Sequence, residues 1–312
     1  MQLFLQNMGT AAIQVFTLYV IVAAGFTADK LRVFTEKTAR ASNDLLFYIV
    51  TPCVIINSFL TTTFSRATAS GFAVAIVCSA IAHAAGIFLA APLFNKKDDS
   101  NSAVFKFACV YGNLGYMALP LANAVLGETG VFYCSGGVIV FNTLAFTHGI
   151  WLMNKGKKDV KFKLKSLILN PGVISVAIGL PLFLFSVKLP SVIQQPISFI
   201  AGMNTPLAML FFGTYLANTD LKTMFKVKEQ YLIMLVRLIG VPVIIMGVSK
   251  ILSLNETLTT ACMISAAVPS ANNTVMFSAK YGKDTALASK IVALNSFVSI
   301  ITLPIMIALS QI

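Results

Sequence analysis

Two stretches of the chain place the same polar break inside long apolar runs. Residues 119–123 are Leu-Pro-Leu-Ala-Asn and residues 268–273 are Val-Pro-Ser-Ala-Asn-Asn, so both contain Pro-x-Ala-Asn. A proline inside a helix removes one backbone hydrogen bond and clashes with the preceding turn. The backbone N–H groups that begin a half-helix favour anions, and an asparagine amide can donate a hydrogen bond to a carboxylate. The pattern predicts an anion-binding site between two broken helices.

Small and polar residues lie around both breaks and favour an opening of the helix there. We predict substrate-binding roles for residues of the two breaks, which are Asn113, Gly115, Pro120, Asn123, Pro269, Asn272, Asn273 and Thr274. The alternative is that these prolines only shape helix packing, as prolines in membrane helices often do. The asparagines close to both prolines favour the functional interpretation.

Ionisable side chains inside apolar runs are candidates for charge or proton coupling. Asp44, His148 and Arg237 are selected on this basis, and His83 is a further histidine in such a run. Asp44 could instead lie at the membrane interface, and the histidines could serve packing. Arg237 could attract an anion, pair with backbone carbonyls or extend to the membrane surface. The two breaks contain no Asp or Glu, and Glu128 lies just outside the fourth run. A sodium site built on carboxylates is therefore disfavoured, whereas one built on carbonyls and amides stays open.

The composition indicates an integral membrane protein. Of 312 residues, 57% are hydrophobic and 11% are charged, whereas soluble domains carry about 25% charged residues. Long apolar runs in lipid form helices, because each backbone polar group must be satisfied internally. The net charge of +12 resides in short gaps between the runs, which argues against a nucleic-acid partner. Five scattered cysteines and two histidines predict no metal site and no cofactor.

Ten apolar runs account for most of the chain. They cover residues 10–28, 37–60, 71–94, 102–126, 130–152, 167–187, 195–217, 228–252, 256–280 and 285–309. A membrane span needs roughly 20 mainly apolar residues. We therefore predict an all-α integral membrane protein of about ten transmembrane helices that crosses the cell membrane many times.

Basic residues alternate between the gaps and predict the orientation. The richer set of gaps holds 19 of the lysines and arginines, including Lys96, Lys97 and six lysines in the loop 153–166, and the opposite set holds 3. Basic loops remain in the cytoplasm. Both termini are then expected to be extracytoplasmic.

The basic cytoplasmic loop 153–166 divides the chain into two halves, residues 1–152 and 167–312. Each half contains five predicted spans. Because five is odd, the halves insert with opposite orientations, which is the condition for an inverted repeat. The two Pro-x-Ala-Asn segments lie in the fourth span of each half, so we expect them to occupy equivalent positions in broken helices 4 and 9.

Several segments together resemble the auxin efflux carrier family, which includes the plant PIN proteins and bacterial malate and malonate permeases. They are Thr-Pro-Cys-Val-Ile-Ile-Asn at 51–57, Gly-Asn-Leu-Gly-Tyr-Met-Ala-Leu-Pro-Leu at 112–121, Asn-Pro at 170–171, Pro-Leu-Ala-Met at 206–209 and Ala-Val-Pro-Ser-Ala-Asn-Asn at 267–273. The resemblance extends over essentially the whole chain and rests on the order and spacing of these segments.

The resemblance implies a fold of two inverted five-helix repeats, similar to the bile-acid sodium symporters. Helices 1, 2, 6 and 7 would form a scaffold and helices 3–5 and 8–10 a mobile transport domain, as in an elevator mechanism, often in a homodimer. The substrate site would lie where helices 4 and 9 cross, and the motifs carry over to Asn113, Gly115, Pro120, Pro269, Asn272 and Asn273. The short loop 153–166 favours a bacterial carboxylate permease over an auxin carrier.

The sequence thus favours a secondary transporter of small organic anions, such as malate or malonate, that works by alternating access. The alternative is a sodium- or proton-coupled symporter of a larger or neutral solute. An intramembrane enzyme or receptor is disfavoured, since the chain contains no H-E-x-x-H or G-x-S-x-G motif. A channel stays open, because discontinuous helices occur there too.

Overall fold

The structure is a computed structural model that describes residues 2–95, 101–154, 169–220 and 222–312. The first half of the described chain contains α1 (Gln2–Lys30), α2 (Glu36–Leu45), α3 (Thr51–Thr61), α4 (Arg66–Leu93), α5 (Ser102–Val110), α6 (Leu119–Leu144) and α7 (Ile150–Met153). The second half contains α8 (Pro171–Leu184), α9 (Ser191–Gly202), α10 (Asn204–Ala217), α11 (Glu229–Met234), α12 (Val241–Ile251), α13 (Glu256–Ala267), α14 (Asn273–Lys280) and α15 (Thr285–Ser310).

Short π-helical turns connect several of these helices without a change of chain direction. They are Leu46–Val50, Leu114–Ala118, Ala145–Gly149 and Leu235–Gly240. Such turns replace the regular α-helical bonding pattern and often occur at functional positions in helices. Two of them, Leu114–Ala118 and Leu235–Gly240, lie beside the candidate site.

Seven stretches of the described chain are long and apolar enough to cross a membrane. They are Met8–Lys30, Glu36–Thr61, Arg66–Leu93, Leu114–Met153, Ser191–Ala217, Glu229–Ile251 and Thr285–Ser310. The prediction of an all-α integral membrane protein is confirmed. Shorter apolar helices form the rest of the bundle, among them α8 and the two halves α13 and α14 of one predicted span.

Glycine 127 interrupts the longest of these stretches. A straight helix of 40 residues would be about 60 Å long, about twice the thickness of a bilayer's hydrocarbon core. Gly127 has φ 63° and ψ −156°, which no helix contains and which glycine adopts readily. The kink separates residues 119–126 of α6 from residues 128–144, at the gap expected between the fourth and fifth spans.

Side-chain caps explain where several helices begin. Ser65 and Thr68 form a capping box at α4, in which Thr68 N–H donates to Ser65 Oγ at 3.0 Å. Asn170 caps α8, Asn255 caps α13 and Asp284 caps α15, in each case by accepting from an N–H group of the first turn. Each cap satisfies a donor that has no partner within the helix.

Glycines bring α1 and α10 into close contact. A Cβ atom on Gly25 would lie 2.4 Å from the carbonyl oxygen of Leu210, and one on Gly213 would lie 2.1 Å from the carbonyl oxygen of Val22. Small residues allow membrane helices to approach closely, which replaces the hydrophobic effect as the source of packing energy in lipid. Helix α1 also packs against α15.

Large apolar side chains cover the outside of the bundle. Phe16, Phe88, Phe199 and Ile301 are each more than 60% exposed. A soluble protein rarely exposes so much apolar surface, whereas a lipid bilayer accepts it.

The predicted cytoplasmic loop lies almost wholly outside the described residues. Helix α7 ends at Met153 and Asn154 follows it, but residues 155–166 belong to the gap in the description, as do Lys96 and Lys97. The sixth predicted run, 167–187, contains the 14-residue helix α8, which is shorter than the roughly 20 residues of a full span.

Candidate functional site

Two predicted spans are discontinuous. In the first, α5 ends at Val110 and the helical conformation resumes at the π-helical turn Leu114–Ala118. In the second, α13 ends at Ala267 and α14 begins at Asn273. Each interruption leaves helix-terminal N–H and C=O groups that need partners other than the helix itself.

The two interruptions bind each other through their backbones. Asn113 N–H donates to the carbonyl oxygen of Pro269 at 2.8 Å, and Ala271 N–H donates to the carbonyl oxygen of Tyr111 at 2.8 Å. These bonds form an isolated antiparallel β-bridge centred on Gly112 and its partner in the second span. We call this bridge, made of residues 111–113 and 269–271, the crossing.

The structure corrects the expected position of the first break. Pro269 is part of the crossing, but Pro120 is buried seven residues after Asn113, within helical backbone that continues from the π-helical turn Leu114–Ala118 into α6. A proline is tolerated inside a membrane helix where local π-helical bonding gives the freed backbone groups other partners. The expectation that the two Pro-x-Ala-Asn segments occupy equivalent positions is therefore wrong, and Gly112 rather than Pro120 marks the first break.

Side chains on both sides strengthen the crossing. Ser270 Oγ donates to the carbonyl oxygen of Ala108 at 2.8 Å, which adds a third link between the broken spans. The Tyr111 hydroxyl lies 2.9 Å from the carbonyl oxygen of Leu144 and 2.9 Å from His148 Nδ1. His148 thus contacts the crossing through Tyr111 and is half-buried.

Arg237 occupies the side of the crossing where α5 and α13 end. Its Nε donates to the carbonyl oxygen of Val268 at 2.8 Å, and its Nη atoms lie 3.5 Å from the carbonyl oxygens of Val110 and Ser265. The last carbonyls of a helix carry partial negative charge, which a cation stabilises. Of the three roles considered for Arg237, the geometry matches pairing with backbone carbonyls.

Backbone carbonyl oxygens, rather than a carboxylate, stabilise the positive charge of Arg237. Arg237 is 2% exposed, and no aspartate or glutamate is buried among the described residues. A Cβ atom on Gly112 would lie 1.9 Å from Arg237 Nη2. Position 112 thus requires glycine because the guanidinium packs directly on its backbone.

On the opposite side of the crossing, the following half-helices begin. Buried polar side chains there have no hydrogen-bond partner among the described residues. Asn272 is 9% exposed, and neither its amide nitrogen nor its amide oxygen has a hydrogen-bond partner in the described structure. The Thr274 hydroxyl, in the first turn of α14, is fully buried and also lacks a partner there. Buried polar groups are nearly always paired, so such atoms need an explanation, and a ligand is one.

Free space lies beside Gly115 on the other span. No heavy atom of another element lies within 4 Å of where a Cβ atom on Gly115 would stand. Asn113, the residue that enters the crossing, is buried, and Asn273 is half-buried at the start of α14. Six predicted residues (Asn113, Gly115, Pro269, Asn272, Asn273 and Thr274) therefore lie in or within three residues of the crossing.

Asn123 lies in a different place from the other predicted residues. It is exposed and lines a cavity of about 150 Å³ together with Glu128, Asn57 and Asn204. Asn57 Nδ2 donates to Glu128 Oε1 at 3.3 Å, which links α3 to α6.

Asp44 is exposed on α2, as the interfacial alternative predicts. Sequence reasoning missed Tyr111 and Ser270, whose contacts arise only from the pairing of distant spans. Within the described ranges, no group of three or more His, Cys, Asp or Glu side chains is placed to hold a metal ion.

Discontinuous membrane helices that meet within an α-helical bundle are characteristic of secondary transporters. The membrane transport protein family matches residues 10–307, and the chain belongs to this family, which is the auxin efflux carrier type that the sequence resembles. Its members are transporters and not enzymes.

Two relatives extend the comparison. An uncharacterized transporter of Methanocaldococcus jannaschii is 22% identical over 299 residues, which covers 93% of this chain and 95% of the relative. An uncharacterized transporter of Escherichia coli K12 is 22% identical over 309 residues, which covers 94% and 96%. The chain is thus a multi-pass membrane transporter.

Proposed function

We propose that this protein is a secondary transporter of small organic anions, such as malate- or malonate-like carboxylates, which bind at the crossing and move by alternating access. The unpaired amide of Asn272 and hydroxyl of Thr274 support this proposal most directly, because they are neutral donors beside the start of a helix. A carboxylate there would receive hydrogen bonds and the favourable end of the helix dipole. Asn113, Gly115 and Asn273 would complete the site.

The architecture proposed for this function has ten spans in two inverted repeats, residues 1–152 and 167–312. Three features support it. The seven long apolar stretches, the division of one of them at Gly127, and the shorter helices together account for ten predicted runs. Helices 1, 2, 6 and 7 would form the scaffold, and the remaining helices would carry the crossing in an elevator movement. A homodimer, a cell-membrane location and extracytoplasmic termini belong to the same proposal.

A sodium- or proton-coupled symporter of a larger or neutral solute is the second candidate. One observation favours it, which is that Glu128 places a carboxylate in a cavity beside α6. An ionised carboxylate repels an anion that approaches by the same route. Anion transport along this path therefore requires that Glu128 be neutralised.

Counterflow in proteoliposomes tests the proposed function. Purified protein is reconstituted with unlabelled malate inside, and entry of labelled malate is followed against competing mono- and dicarboxylates. Saturable accumulation that specific carboxylates compete would support an anion carrier. Absence of exchange with every acid, from protein that is monodisperse and folded, would contradict it. Absence of malate exchange together with saturable counterflow of a labelled neutral solute would favour the second candidate.

Two asparagine variants test the position of the site. We expect Asn113→Ala and Asn272→Ala to raise the half-saturating malate concentration about tenfold, since each would remove a donor worth about 1.5 kcal/mol to a charged ligand. Asn43→Ala, a half-buried position on α2 away from the crossing, is the matched control. Unaltered affinity in both crossing variants would remove these residues from the site.

A further inference from the structure

The cavity that contains Glu128 is built from helices that carry no other charge. Its lining comes from α3, α6, α9 and α10, and Glu128 is its single titratable side chain among the described residues. The sequences of these four helices contain no other Asp, Glu, Lys, Arg or His. Their remaining titratable groups are cysteines and tyrosines outside the lining, namely Cys53, Tyr133, Cys134 and Tyr215.

This carboxylate receives little hydrogen bonding that would stabilise its charge. Glu128 accepts one hydrogen bond, from Asn57 Nδ2 at 3.3 Å, which is long for a bond to a charged group. The amide oxygens of Asn57 and Asn204 have no partner in the described structure, and both residues are 3% exposed. A protonated carboxyl is a donor, and a hydrogen bond from it to one of these oxygens would favour the neutral form. The unpaired oxygens in the lining are therefore candidate acceptors for a proton carried by Glu128.

Glu128 lies on α6, the helix that continues the fourth predicted span beyond the first break. Glu128 follows the kink at Gly127, near the outer end of the fourth span in the predicted orientation, and Leu119 of the same helix also lines the cavity. An anion that came close to Glu128 on its way to the crossing would raise the proton affinity of the carboxylate, and a proton on Glu128 would raise the affinity for that anion by the same factor. Protonation would also weaken the bond to Asn57 that links α3 to α6, because the acceptor loses its charge.

We propose that Glu128 is the group that binds a coupling proton, so that the transporter moves its anion together with H⁺. This inference rests on the proposed function as an anion carrier. It assigns a residue to the coupling role and selects the proton over sodium. The proton binds reversibly to a carboxylate oxygen from the aqueous side and leaves to the opposite side with the anion.

Proteoliposomes separate this inference from the proposed function. Malate uptake is driven by an imposed pH gradient at zero membrane potential, which is set with equal potassium and valinomycin, and counterflow is measured in the same preparation. We expect the gradient to stimulate wild-type uptake about tenfold, within the usual range of such couplings. Counterflow without any effect of the gradient would overturn the coupling and leave the anion carrier intact. Absence of counterflow would overturn both.

Substitutions of Glu128 test whether this residue is responsible for the stimulation of uptake by the pH gradient. In Glu128→Gln we expect the stimulation by the gradient to disappear while exchange remains measurable, and Glu128→Asp is expected to retain stimulation. Glu256→Gln, an exposed acid at the start of α13, is the matched control. Gradient-driven uptake by Glu128→Gln equal to that of wild type would refute the assignment.

Direct labelling covers the case in which Glu128→Gln does not fold. A hydrophobic carbodiimide modifies protonated carboxyl groups, and peptide mass spectrometry locates the modification in wild-type protein. Modification of Glu128 that increases as the pH falls, with Glu256 unmodified, would support the proposal. Absence of modification at Glu128 at every pH would count against it.

Discussion

The two sides of the crossing differ in whether their buried polar groups find hydrogen-bond partners within the protein. On one side, α5 and α13 end, and Arg237 donates hydrogen bonds to their terminal carbonyls from a position that is 2% exposed. On the other side, the following half-helices begin, and the buried polar groups of Asn272 and Thr274 have no partner in the described structure. Arg237 satisfies the carbonyl side, whereas the unpaired groups of the amide side support the proposed substrate site there.

The difference distinguishes the charge of Arg237, which stabilises the fold, from the neutral groups that are proposed to bind the substrate. A permanent cation on the carbonyl side satisfies dipoles that would otherwise point into a low-dielectric interior. A permanent anion on the amide side would have done the same there, but it would have occupied the site of a carboxylate substrate. The arrangement separates a structural charge from a binding site within one crossing.

Removal of Arg237 should have the largest effect. In Arg237→Met the carbonyls of Val110 and Val268 lose their donor, and each buried acceptor left without a partner costs about 1–3 kcal/mol. We expect a strong decrease in the yield of monodisperse protein and in the thermal unfolding temperature in detergent. Arg66→Met, at an exposed position, should leave both unchanged. A stable Arg237→Met protein that lacks only transport would assign Arg237 to the substrate instead.

A charge on the amide side should abolish binding without unfolding the protein. Asn272→Asp places a carboxylate where the substrate carboxylate is proposed to bind, and like charges in contact cost several kcal/mol, so we expect malate exchange to fall at least about a hundredfold. Asn43→Asp on α2 is the control. Exchange is measured by counterflow, and folding by thermal unfolding. Normal malate affinity in Asn272→Asp would exclude an anion site beside this residue.

Two glycines three residues apart differ in what an added methyl group would contact. In Gly112→Ala the new methyl group would displace the Arg237 guanidinium, and overpacking of this kind costs about 1–3 kcal/mol. In Gly115→Ala the methyl group enters open space, so we expect unchanged stability and a few-fold weaker malate affinity. Thermal unfolding and counterflow are measured on both variants. Equal stability of the two proteins would contradict the packing of Arg237 on Gly112.

The smallest expected effect compares two buried threonine hydroxyls. Thr274→Val removes a hydroxyl without a partner, and we expect stability to rise by about 1 kcal/mol while malate affinity falls. Thr260→Val removes a hydroxyl that accepts from Ser310 at 3.0 Å, so stability should fall by about 1 kcal/mol with no change in affinity. Denaturation curves and counterflow give both quantities. A loss of stability in Thr274→Val would indicate a partner within the protein and weaken the case for a ligand.

Much of the candidate site could be predicted from sequence, but the position of one break could not. Proline and asparagine in an apolar run indicate an opening, and Pro269, Asn272 and Thr274 lie at or beside the crossing as expected. Pro120 was misleading because a proline can mark a break or be accommodated inside a helix by a π-helical turn, and the sequence alone does not distinguish the two. Gly112 was one of several small residues in its run, and only the guanidinium packed against it makes glycine necessary there.

The sequence by itself determined the class of this protein. The length and number of apolar runs required helices in a membrane, because backbone groups in lipid must bond within their own segment. Tertiary structure alone decided where the broken spans meet, that Arg237 serves the carbonyl side, and that Glu128 faces Asn57 across a cavity. These contacts join residues 31 to 127 positions apart, and no local pattern encodes them. They follow from the way the helices pack, which determines which polar groups find a partner within the protein and which do not.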